Sequence, residues 1–79
     1  MVTQSEAIIA AFRELGGTRT ISEITDWVQN VYGAKWKDFA TAMADMVPVS
    51  KGGTHSSTVP DYYRVLERIR IVEYKLIGE

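Results

Sequence analysis

The sequence predicts an α+β domain, and three observations carry the prediction. Two Ser/Thr-x-x-Glu boxes, Thr3 to Glu6 and Thr20 to Glu23, each stand ahead of an apolar run with helical spacing. Residues 34–47 (AKWKDFATAMADMV) repeat that spacing and stop at Pro48. The last third, residues 61–79, is rich in aromatic and β-branched side chains, as strands are. The expected order is three helices, a polar loop and a C-terminal β-hairpin, all in one domain over residues 1–79.

Length and composition set the limits. At 79 residues there is room for one core, and a chain of that size buries only about 60–65% of its unfolded surface, so the core has to be well filled. A hydrophobic content of 46% is that of a globular chain rather than a disordered one. With no cysteine there is no disulfide or thiolate chemistry, and a single histidine makes no histidine cluster. The longest apolar run, Ala7 to Phe12, falls well short of a membrane span. The first residues lack the basic start and small-residue cleavage site of a signal peptide. A cytoplasmic protein is expected.

Net charge is −1, unlike the basic excess of most tight nucleic-acid binders. The charge is unevenly divided. Residues 1–33 have a balance of −2, and residues 34–79, with seven basic and six acidic side chains, have +1.

The first helix begins at the box of Thr3 and Glu6. It puts Ile8, Ala11, Phe12 and Leu15 on its core face and closes at Gly16-Gly17. Thr18 and Arg19 form a short link. The second box, Thr20 and Glu23, starts a helix with Ile21, Ile24, Trp27, Val28 and Val31 on one side, ending near Tyr32-Gly33. Another short connection leads into the helix over residues 34–47. At 100° per residue, Trp36, Phe39, Ala40, Met43, Met46 and Val47 share its inner face, and Lys37, Asp38, Thr41 and Asp45 its outer face. Residues 49–60 (VSKGGTHSSTVP) read as a loop. Between 61 and 69 helix and strand patterns overlap. The preferred reading is a hairpin, Arg64 to Ile69 paired with Glu73 to Ile77, with a helical turn allowed over Pro60 to Tyr63.

This layout resembles the small prokaryotic winged-helix modules that open with a helix, a Gly-Gly break and a second helix of "xxxEIxxWV" type. Here those pieces are Leu15-Gly16-Gly17, Glu23-Ile24 and Trp27-Val28. The likeness continues through Ala42 to Met46, the Ser56-Ser57-Thr58-Val59-Pro60 loop, Arg64 to Arg68 and Tyr74-Lys75-Leu76. It implies a winged helix: a three-helix core followed by a C-terminal β-hairpin wing. It also implies a non-enzymatic, transcription-regulator-like protein that binds duplex DNA, with the third helix in the major groove. One departure is the apex Arg70-Ile71-Val72-Glu73, which is apolar and lacks glycine. It favours neither a tight turn nor minor-groove insertion.

The residues suited to DNA are Lys35 and Lys37 near the start of the third helix, Thr41 on its outer face, and Lys51, Thr54, His55, Ser56 and Ser57 in the loop. Ammonium groups meet phosphate oxygens, and hydroxyls add neutral hydrogen bonds that fix register without reading bases. Asp38 and Asp45 oppose this, being like charges on the same face. Catalysis finds little support: His55 beside two serines sits in a Gly/Ser loop that cannot hold a nucleophile and base in place. No metal-ligand spacing occurs. Lys51-Gly52-Gly53-Thr54 lacks the Walker A pattern, so no cofactor is expected. The alternative to DNA is a protein partner or a homodimer. An acidic third-helix face, the apolar Ile71-Val72 apex and the Tyr62-Tyr63 pair would suit one.

Overall fold

The computed structural model describes residues 2–53 and 59–78. Helix α1 spans Gln4–Leu15, strand β1 Arg19–Thr20, helix α2 Ile21–Tyr32, helix α3 Phe39–Asp45, strand β2 Leu66–Arg70 and strand β3 Glu73–Leu76. Short 3₁₀ turns occupy Val49–Lys51 and Asp61–Tyr63. The strands form one antiparallel sheet in the order β1-β3-β2. No helix among the described residues is long and apolar enough to cross a membrane.

Both capping boxes form. The hydroxyl of Thr3 accepts from the Glu6 amide and the Glu6 carboxylate accepts from the Thr3 amide. Thr20 and Glu23 repeat the arrangement on α2. These contacts satisfy helix-start amides that would otherwise be left to water. Hydrogen bonding holds the Glu6 and Glu23 carboxyls below their ordinary value of 4.5. The backbone amides of Thr3 and Thr20 are the largest cause, and the Arg19 guanidinium adds to the effect on Glu23. At the other end of α1, Gly16 takes φ 71° while its amide still donates to the Phe12 carbonyl, a conformation that suits glycine.

The link between α1 and α2 does more than connect. Arg19 donates to the carbonyls of Leu15 and Gly16 at 2.8 and 2.9 Å and pairs with Glu23 at 3.1 Å. It thereby ties the end of α1 to the start of α2. Arg19 and Thr20 also pair with Tyr74 and Glu73, adding a third strand to the expected hairpin.

The core is built from Ala7, Ile8, Ala11 and Phe12 of α1, Ile24 and Val28 of α2, Phe39 and Met43 of α3, and Met46, Val47, Leu66, Tyr74 and Leu76. Leu15 and Trp27, expected in the interior, are half-buried at its edge, and Ala40 is exposed. Tyr74 is enclosed because its phenol oxygen has partners: Arg68 Nε and Nη2 donate to it at 3.2 and 3.1 Å.

The hairpin forms with β2 ending one residue later than expected and β3 one residue earlier. Its two-residue turn, Ile71-Val72, closes between the paired residues Arg70 and Glu73. Asp38 is the one non-glycine with positive φ among the described residues, so neither turn residue adopts the left-handed backbone that tight hairpin turns favour. A register shift between Arg68 and Arg70 supplies the extra twist instead.

Candidate nucleic-acid interface

The third helix is half its expected length, beginning at Phe39 rather than residue 34 and ending at Asp45 rather than residue 47. Residues 34–38 are drawn out of it by competing partners. Gly33, at φ 85°, closes α2 with its amide on the Gln29 carbonyl at 3.0 Å. Trp36 packs edge-on against Tyr32 at 6.1 Å, and Tyr32 against Trp27 at 6.2 Å, forming a row of rings along which the linker lies. The Lys37 carbonyl is taken by Gln4 Nε2 of α1 at 3.0 Å. Asp38 then turns the chain with φ 56° and ψ 54°, and its carboxylate accepts from the Thr41 amide at 3.3 Å. Aspartate is among the few residues that tolerate the left-handed region, and it is a strong N-cap.

The far end of α3 is closed by the sheet. The Met46 carbonyl accepts from the Leu66 amide at 3.1 Å, so this backbone leaves the helix to meet β2. The buried Arg64 donates from Nε and Nη2 to the Val47 carbonyl at 3.1 and 2.6 Å. Gly53 passes beside the same carbonyl, where a Cβ would overlap both the Val47 oxygen and Arg64 Nη2. Arg64 therefore locks the end of α3, the start of β2 and the base of the 48–53 segment into one cluster.

On this frame Lys35 and Lys37 lie exposed on the linker before α3, Thr41 lies exposed on the helix, and Lys51 lies exposed on the 3₁₀ turn after it. Lys37 and Thr41 meet around a cleft of about 270 Å³ that also takes in Gln4, Ser5, Asp38 and Asp45. Lys35 and Lys51 are outside that cleft. Its lining carries one lysine against two aspartates. Thr54, His55, Ser56 and Ser57 lie outside the described residues.

Three features of the site went unread in the sequence. Asp38 immediately precedes an apolar run and carries the N-cap signature, which would have placed the helix start correctly. Gln4 and Arg64 act through long-range hydrogen bonds that leave no periodic trace. Among the described residues no three carboxylate, histidine or cysteine side chains gather as a metal site.

A second concavity, about 670 Å³, lies between α1 and the C-terminal segment. Ile9, Ala10, Val65, Leu76 and Ile77 supply its apolar surface, with Arg13, Glu14 and the Tyr62-Tyr63 pair around them. Tyr62 is 73% exposed. Burial is the main cause that raises the Tyr63 hydroxyl above its ordinary value of 10.0, with the nearby Glu6 charge second. Comparison with protein-family models, curated proteins and solved structures gives no match for this chain.

Proposed function

We propose that the chain is a winged-helix module that holds duplex DNA weakly and with little sequence discrimination, through the lysines flanking α3. The order α1, β1, α2, α3, β2, β3 with a β1-β3-β2 sheet supports the fold reading. The observation that carries the functional reading is how the cations are used. Arg19, Arg64, Arg68 and Arg70 are engaged within the chain, and Arg13 is exposed on α1 away from α3. Lys35, Lys37 and Lys51 are exposed at the two ends of α3, with no side-chain hydrogen bond or ion pair among the described residues. Lysines held this way can exchange counterions for phosphates without giving up a structural contact.

Three phosphate contacts give a slope of log affinity against log salt near −2.7, from the roughly 0.9 counterions released per contact. Replacing Lys37 with Ala should reduce that slope by about one unit and weaken all sequences alike. No detectable duplex binding in ~50 mM salt at high micromolar protein would overturn the reading. A protein-contact reading draws on one observation, the exposed Tyr62 beside the apolar groove on α1. A stable dimer in solution without DNA affinity would favour it.

A further inference from the structure

The outer side of α1 is apolar at its centre and charged at both ends. Ala7, Ile8, Ala11 and Phe12 face the interior. At about 100° per residue, Glu6, Ile9, Ala10 and Arg13 share the opposite side at i, i+3, i+4 and i+7. Ile9 and Ala10 are half-buried, and Arg13 is exposed. All four line the larger concavity, whose other wall is the C-terminal segment with Ile77 and the Tyr62-Tyr63 pair. Tyr62 projects at the end nearest Glu6, because its ring packs at 4.6 Å on that of Tyr63 and the Glu6 charge acts on the Tyr63 hydroxyl.

We propose that this groove is the interface of a two-fold homodimer, in which the α1 helices of two copies run antiparallel along the stripe. The arrangement of charge selects a second copy as the occupant. The midpoint of the stripe falls between Ile9 and Ala10, and Glu6 and Arg13 are equidistant from it, each about 5 Å along the axis. Two-fold docking about that midpoint sets Glu6 of each copy against Arg13 of the other, and Ile9 against Ala10. The opposite-sign pair forms twice, and it forms only in the antiparallel direction; parallel helices would bring like charges together. Arg13 has no ion pair or side-chain hydrogen bond among the described residues, so it gives up no contact within its own chain.

Shape follows the same symmetry. The projecting Tyr62 at the Glu6 end of one copy comes to the Arg13 end of the other, where the guanidinium can lie over its ring. Knob and recess thus belong to one surface, as a two-fold contact requires. The groove has ten lining residues, fewer than the roughly 20–30 a side of a standard interface. Association is therefore weak, with a Kd on the order of 100 μM. Lys35, Lys37 and Lys51 lie outside the groove, and the dimer leaves them accessible.

Sedimentation equilibrium from about 10 μM to about 1 mM protein should show monomer passing to dimer. Arg13→Glu, which opposes like charges at both ends of the stripe, and Tyr62→Ser, which removes the knob, should each weaken dimerisation about tenfold. Val31→Ser, on an exposed residue of α2 outside the groove, should leave it unchanged. Circular dichroism confirms that each variant is folded. The chain has no cysteine, so Ala10→Cys places a single thiol beside the two-fold axis. Diamide should join two such thiols as a disulfide, and should link Lys51→Cys about tenfold more slowly, since only thiols brought close can bridge. A protein that stays monomeric at about 1 mM overturns the proposal. So does a dimer that Arg13→Glu and Tyr62→Ser leave intact, or one in which Lys51→Cys is linked as fast as Ala10→Cys. Dimerisation through the groove does not depend on duplex binding, which anisotropy with labelled DNA reads separately.

Discussion

Helices α1 and α2 on one side and α3 on the other contribute to the same core by different means. The first two are twelve residues each, opened by full capping boxes and closed by glycines. Their starts and stops lie in local sequence. Helix α3 is seven residues, too short to be stable by propensity alone. It begins at a left-handed aspartate held against α1 through Lys37 and Gln4, and it ends on a carbonyl held by Arg64. The helix around which the proposed DNA contacts are arranged is therefore the one most dependent on its surroundings, and segments of that kind open locally before the rest of a fold.

The strongest way to break this contrast is to remove the outside support. Arg64→Ala strips charge-assisted hydrogen bonds from the buried Val47 carbonyl and should cost about 3 kcal/mol in urea unfolding. Amide exchange should rise first over α3 while α1 stays protected. Gly53→Ala presses on the same carbonyl from the other side and should cost about 2 kcal/mol by overpacking. Changes below about 0.5 kcal/mol in both variants would mean that α3 stands without this cluster.

A smaller effect separates the two roles of Asp38. Asp38→Ala loses both the cap and a residue suited to φ 56° and should cost about 1–2 kcal/mol, whereas asparagine caps as well and tolerates the left-handed region, leaving stability nearly unchanged. Asp38→Asn should also tighten duplex binding by removing a like charge beside Lys37. Weaker duplex binding by a fully folded Asp38→Asn protein would point to a protein partner on this face.

The smallest effect runs the other way and touches only α1 and α2. Glu6 and Glu23 have folded values below their ordinary 4.5. Their contribution is present above pH 4.5 and is lost as pH falls through the lowered folded values. Acid titration followed by NMR should loosen the first turns of α1 and α2 in that window.

The contrast also sorts what the sequence revealed. The α1 and α2 boundaries, most of their buried faces and the hairpin pairing were legible, because capping boxes, helical spacing and β-branched content are local signals. Trp27 was placed too deep because its phase marks the inward side of α2 but does not say how far the neighbours reach around it. The third helix was overextended because Trp36 and Val47 fit an apolar stripe that Gln4, Tyr32, Arg64 and Leu66 interrupt from a distance. Strand β1 escaped notice since two residues carry no alternation, and its pairing with β3 depends on where the hairpin lands. Of the proposed DNA contacts, Lys35, Lys37, Thr41 and Lys51 are exposed as the sequence suggested, though spread over a linker, a short helix and a turn.

The register shift beside Ile69 has a consequence for how the molecule behaves in crowded solution. Strand β2 lies at the rim of the sheet, its outer side met by the Met46 carbonyl at Leu66 but by no further strand among the described residues, with isoleucines near its end. A regular strand of that kind is a template on which another chain can add, and repetition of that step builds fibrils. The extra residue interrupts the ladder after three regular pairs, and Arg68 and Arg70 put charge on either side of the interruption. An incoming strand could keep register over only a short stretch before meeting a kink and a guanidinium. The same irregularity that closes the turn thus shortens the template that an incoming strand would meet beside the apolar apex.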